Sequence, residues 1–312
     1  MLNAMKTMLI IMFTGEFMMG ILGNGFIGLV NFTDWVKRRK IYLVDFILTS
    51  LAISRIGLLF SMLLNGILVI FHPEVYEYTN ITRIIDILWT IFNYLSVWFA
   101  TCLSIFYCLK IANFSHSLFL WLKWRINRVI PIILLTFLFM SIFINLPITE
   151  KFNEDFRDQV SRRNKRNNIP ILKVNNSAYF DIVIFLNLGT LFPFTVSLIS
   201  FFLLILSMWK HTRKIKLSAM DARDPSTEIH LRAMKAVISF LILFVIYCLA
   251  FLIATSSPFL PESELAMLFG EIIAVIYPSG HSFILILGNI KLRQTSLNVL
   301  QQMKNCFKGR NT

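Results

Sequence analysis

Seven stretches of this chain, near residues 8–33, 46–70, 84–109, 129–149, 182–208, 236–258 and 265–288, are each long and apolar enough to cross a lipid bilayer. A spanning helix needs about 20 largely apolar residues to cover roughly 30 Å of hydrocarbon. No water reaches the backbone at that depth, so each run must satisfy its own peptide groups by forming a helix. The expected fold is an all-α integral membrane bundle of seven helices, a single domain over 1–312 with a tail at 289–312. Composition points the same way: 56% of the 312 residues are apolar and 15% charged, too little charge to coat a water-soluble fold of this size. The first run follows Lys6 but is too long for a signal peptide, carries Glu16 and lacks a clear small-residue cleavage site, so it is expected to be retained.

The formal net charge of +13 raises the question of nucleic acid, but the basic residues sit in short connectors between apolar runs. Basic loops mark orientation in a membrane, and no nucleic-acid partner is expected. With the N-terminus outside and the C-terminus in the cytoplasm, twenty of the thirty Lys and Arg residues fall inside, nine outside, and Arg55 within the second span. The cluster Arg162, Arg163, Lys165 and Arg166, between spans four and five, pulls the other way beside Glu150, Glu154, Asp155 and Asp158. This topology puts the sequons starting at Asn80 and Asn175 outside as glycosylation acceptors, while a third, at Asn113, falls inside. Cys102, Cys108 and Cys248 lie within apolar runs and Cys306 in the basic tail, so no extracellular disulfide is expected. The tail pattern suits a short amphipathic surface helix, with Cys306 available for palmitoylation.

Polar residues inside a bilayer need partners, and so mark helix contacts or functional cavities. Asn24 in the first span, Arg55 in the second, and His281 and Ser282 in the seventh fall at intermediate depth, where mutual hydrogen bonding offsets desolvation. A central Arg costs about 2.5–3.5 kcal/mol on insertion scales. Arg55 must therefore face the interior, either as interhelical glue or as part of a switch. Pro193 and Pro278 weaken helix hydrogen bonding and permit bends at defined points. In span three, Trp89, Asn93, Ser96, Val97 and Ala100 share one helix face and can line a cavity, although Trp89 also suits an interfacial belt. Glu271, near the outer end of span seven, is expensive there unless hydrated or paired.

Several words along the chain resemble one family in its own order: GILGNGFI, LAISR, LSIFYCLKIANFSH, FLWLKWRI, KHTRKIKLSAMDARDPSTEIHLRAMK and YPSGHSFILILGNIKL. They are similar to those of the type 2, or bitter, taste receptors, which are G-protein-coupled receptors. Ser117 stands where the family pattern has Pro after the His116 position, and Phe106-Tyr107-Cys108 stands where the larger rhodopsin-like class has Asp-Arg-Tyr. The resemblance implies a plasma-membrane receptor that takes small bitter agonists in the outer half of the bundle and activates a gustducin-like heterotrimeric G protein. It implies ligand contacts at Trp89, with Asn93, Ser96 and Val97 beside it, and at Glu271, where the alternative is a structural partner on another helix. It also implies a switch at Tyr247 beneath the pocket, where the alternative is a core tyrosine. On the inner side Tyr107, Lys110, His211, Lys214 and Lys216 are candidate coupling residues, against the plainer reading that most of these charges serve only orientation. Receptor oligomers are compatible with this reading.

Other seven-helix functions fit less well. A retinal-based pump needs a lysine in span seven, and none lies between 265 and 288. A transporter would be favoured by paired broken helices or repeated halves, which are not visible. His281 and Ser282 lack a supporting nucleophile motif, and no metal-ligand word occurs, so neither an enzyme nor a cofactor is expected.

Overall fold

The computed structural model describes residues 2–71, 80–112, 114–136, 139, 176–217, 225–256 and 263–309. They form helices α1 (Leu2–Arg38), α2 (Leu43–Phe71), α3 (Asn80–Ile111), α4 (Ser117–Trp124), α5 (Ile126–Thr136), α6 (Asn176–Leu217), α7 (Pro225–Ser256), α8 (Ser263–Gly288) and α9 (Ile290–Gly309). Among the described residues four apolar segments reach membrane length, at Ile10–Arg38, Leu43–Leu68, Ile84–Ile111 and Leu191–Lys210. Three shorter apolar segments, Ile126–Thr136, Ile238–Ile253 and Val275–Gly288, overlap the other three expected runs. The end of the fourth run, Asn113, Asn175 and the cluster Arg162 to Arg166 lie outside the described residues.

Several helices run past the predicted spans: α1 continues to Arg38, α6 to Leu217, and α7 starts at Pro225. Hydropathy detects only the lipid-facing part of a helix, while the backbone ladder continues into polar sequence. Termination has local causes. Arg39 takes a left-handed conformation, φ 50°, and its N–H donates to Trp35 O at 2.8 Å, closing the end of α1. At the start of α9, Asn289 Oδ1 accepts from Leu292 N at 3.2 Å, an N-cap.

Side-chain pairs fix the helix directions. A Cβ on Gly20 of α1 would meet Leu59 of α2, and one on Gly57 of α2 would meet Phe92 of α3. Contacts of Trp98 with Phe192 and of Thr101 with Ser197 run α3 and α6 in the same direction. Trp89 meets Phe251 and Asn93 meets Tyr247, so α7 opposes α3, and Phe240 with His281 sets α8 against α7. The bundle thus has an N face, where α1 and α3 begin, and a C face, where they end and α9 lies. Its core gathers Leu51, Val97, Leu103, Phe201, Phe240, Phe244, Tyr247 and Tyr277. Outside it, Leu22, Leu29, Ile53, Phe202, Leu249 and Leu287 are exposed, the pattern of a surface that meets lipid tails instead of water.

Candidate functional site

Arg55 is fully buried at the centre of the bundle. Its Nη2 meets His281 Nδ1 of α8, its Nε donates to Ser96 Oγ of α3 at 3.4 Å, and its guanidinium carbon lies 5.1 Å from the Tyr277 ring centroid. An arginine nitrogen always carries hydrogen, so His281 Nδ1 must accept, which leaves the imidazole neutral with its proton on Nε2. Asn24 reaches the same helix one turn away: its Nδ2 donates to Pro278 O at 3.1 Å and to Gly20 O at 2.9 Å. Ser282 donates to Ser279 O at 2.6 Å, and Ser279 donates to Glu16 O at 3.0 Å. The intermediate-depth residues therefore do meet, with α8 as their hub, but Asn24 and Arg55 each bond to α8 and not to one another. Ser96 is the additional partner that periodicity alone had assigned to a cavity wall.

Toward the N face a ladder of rings climbs α7. Phe240, Phe244, Tyr247 and Phe251 follow helical spacing, with successive centroids 5.5 Å, 6.1 Å and 6.1 Å apart. At the top Phe251 stacks on Trp89 of α3 at 6.2 Å and 14°. At the bottom Phe240 lies 4.4 Å from the His281 ring. One polar bridge crosses beside the ladder: Tyr247 Oη donates to Asn93 Oδ1 at 2.7 Å, both groups buried. The face drawn through Trp89, Asn93, Ser96, Val97 and Ala100 is thus interior along its length, but its members serve different neighbours. Trp89 and Asn93 engage α7, Ser96 engages Arg55, Val97 is core, and Ala100 borders a cavity nearer the C face.

That cavity lies among α3, α6, α7 and α8, lined in part by Ser104, Tyr107, Phe201, Phe240, His281 and Asn289. His281 is shared between it and the Arg55 cluster, so the two are continuous. Tyr107 is half-buried in its wall, whereas Lys110, one turn further along α3, is exposed. Pro193, buried in α6, is tied to α3: Thr101 Oγ1 lies 3.3 Å from Pro193 O and accepts the Ser197 hydroxyl at 3.1 Å. Glu271 falls on α8 toward the N face, and His211, Lys214 and Lys216 on the C-face end of α6, with their side chains outside the described residues. Asn80 is the first residue of α3.

The comparisons with known proteins agree on one family. The model described as "Taste receptor protein (TAS2R)" matches residues 1–304. The chain is 58% identical over 310 residues to "Taste receptor type 2 member 7" of Macaca mulatta, covering 99% of this chain and 98% of that protein. It is 56% identical over 295 residues to the protein of that name in Rattus norvegicus, covering 95% of each, and 55% identical over 304 residues to that of Mus musculus, covering 97% of each.

Proposed function

Because this chain belongs to the TAS2R family of taste receptor proteins, a family of bitter receptors and not of enzymes, we propose that it detects small bitter compounds and passes the signal to a heterotrimeric G protein of the gustducin type. The N face lies outside the cell, at the plasma membrane, and the C face in the cytoplasm. The two-to-one excess of Lys and Arg on the C-face side supports that orientation. Asn80 and Asn175 are then the glycosylation acceptors.

The observation that carries the reading is the ring ladder from Trp89 to His281. A ligand shifts a conformational balance only by binding one arrangement better than another. A compound that wedges against Trp89 displaces Phe251, and the rings below it on α7 transmit the displacement to the Tyr247–Asn93 bridge and then to the His281 end of the ladder. Pro193 and Pro278 supply the bends. The C-face cavity then widens, and Tyr107, Lys110, His211, Lys214 and Lys216 frame the opening for a G-protein helix.

A protonated amine suits the N-face cup, with Glu271 as its counter-charge and the Trp89 ring as a cation-π surface. Asn93, Ser96 and Val97, the other ligand-contact candidates, follow Trp89 down the same face of α3, and the Tyr247–Asn93 bridge would have to open for a ligand to reach past Asn93 to Ser96 and Val97. The decisive experiment is a calcium assay in cells carrying a chimeric Gα, screened against a panel of bitter compounds and paired with antibody labelling of an N-terminal tag in unpermeabilised cells. Silence across the panel, or a tag reached only after permeabilisation, defeats the proposal. Within it, Glu271→Gln is expected to reduce potency for amine agonists more than for neutral ones, and equal loss for both removes Glu271 from the amine site.

A further inference from the structure

The joint between α8 and α9 carries a charged arrangement that neither the ligand cup nor the C-face cavity uses. Lys291, the second residue of α9, points its ammonium at three acceptors on two other helices. Nζ lies 2.8 Å from Asp34 Oδ2 and 3.0 Å from Asn31 Oδ1, both on α1, and 3.3 Å from Asp45 Oδ2 on α2. The partners are partly sheltered, with side-chain exposures of 29%, 29% and 18% for Lys291, Asp34 and Asp45. Asn31 is buried. An isolated exposed ion pair adds little to stability, but this one is a network with preset geometry. The neighbouring Leu292 is fully buried, and the Asn289 cap fixes the first turn of α9, so the ammonium has little freedom to lose.

The placement gives the arrangement a task. Gly288 and Asn289, just before Lys291, line the C-face cavity together with Tyr107 of α3. Lys37, Arg38, Arg39 and Lys40 at the α1–α2 turn are exposed and basic, and Asp34 and Asp45 are the carboxylates that hold Lys291 there.

We propose that Lys291 is a positioning residue, an ionic clasp that holds the α8–α9 joint against the C-face ends of α1 and α2 in the unliganded receptor and is released when the cavity opens. This rests on the receptor reading above. A contact made in the resting arrangement and lost in the open one favours rest, so removing it raises the open population without a ligand.

The test compares the full-length receptor with Lys291→Met, Asp34→Asn/Asp45→Asn and Lys291→Arg in the same calcium assay, normalised to surface density. Lys291→Met keeps length and apolar packing while removing charge. It and the double variant are expected to raise agonist-free signalling roughly fivefold and to lower the agonist EC50 by a similar factor, while Lys291→Arg stays near wild type. Unchanged basal signal and EC50 at normal surface density overturn the clasp. So does a reduced maximal response with no rise in basal signal, or failure of both neutralised variants to reach the surface, each of which marks a scaffold contact. A wild-type receptor silent across the whole panel sinks the receptor reading instead, whereas a responsive wild type with unchanged variants sinks the clasp alone.

Discussion

Two seams cross the same apolar slab by opposite means. Where α1 meets α8, backbones approach closely: a Cβ on Gly20 would come within 2.5 Å of Ser279 Oγ, and one on Gly23 would collide with Ser282 Oγ. Asn24 and Ser279 donate across that contact, to Pro278 O and Glu16 O, while Ser282 donates within α8 to Ser279 O. Where α3 meets α7, bulky rings stack beside a side-chain hydrogen bond from Tyr247 to Asn93. Without a hydrophobic force between helices in lipid, small-residue contact and hydrogen bonding are what hold a seam shut. In the proposed mechanism the α1–α8 seam is the fixed frame, and the α3–α7 seam, held by ring contacts, is the part that a ligand would reset.

That contrast breaks first at its tightest point. Gly23→Leu forces α1 off Ser282 and is expected to cost about 3 kcal/mol or more, read as lost surface expression and lost thermal stability in detergent. Normal expression and stability would mean the seam is looser than its geometry. His281→Ala leaves Arg55 buried without its nitrogen acceptor, and a loss of about 2 kcal/mol is expected in the same stability measurement. An unchanged midpoint would show that Arg55 finds another partner. Tyr247→Phe keeps the ring ladder but removes the donor to Asn93; about 1 kcal/mol is expected, with surface expression retained and agonist potency altered. If potency were untouched while stability fell, the bridge would be only a packing element. The smallest effect belongs to Gly28→Ala in α1, where nothing lies within 4 Å of the added carbon. There the substitution is expected to stabilise by about 0.5 kcal/mol through helix propensity alone.

Much of the candidate site was legible in the chain. Arg55, Asn24 and His281 stand out because a polar group in an apolar run has few acceptable places to go. Their pairing did not stand out: Asn24 bonds to the carbonyl of Pro278 and not to a side chain, and a carbonyl has no sequence signal. The ladder at Phe240, Phe244, Tyr247 and Phe251 does carry a signal, spacing of four, three and four residues, but it is hidden among the thirty phenylalanines of the chain. Lys291 carries no such signal in the sequence, where it is one of many basic residues and its acceptors lie some 250 residues away.

By itself the sequence determined that the chain lives in a membrane as seven helices and which receptor family it joins, because partition into lipid depends on local composition and family words are contiguous. Only the tertiary structure decided which helix each buried polar group serves. That choice depends on the rotation and register of helices against one another, and a shift of one residue turns a side chain by about 100° to a different neighbour.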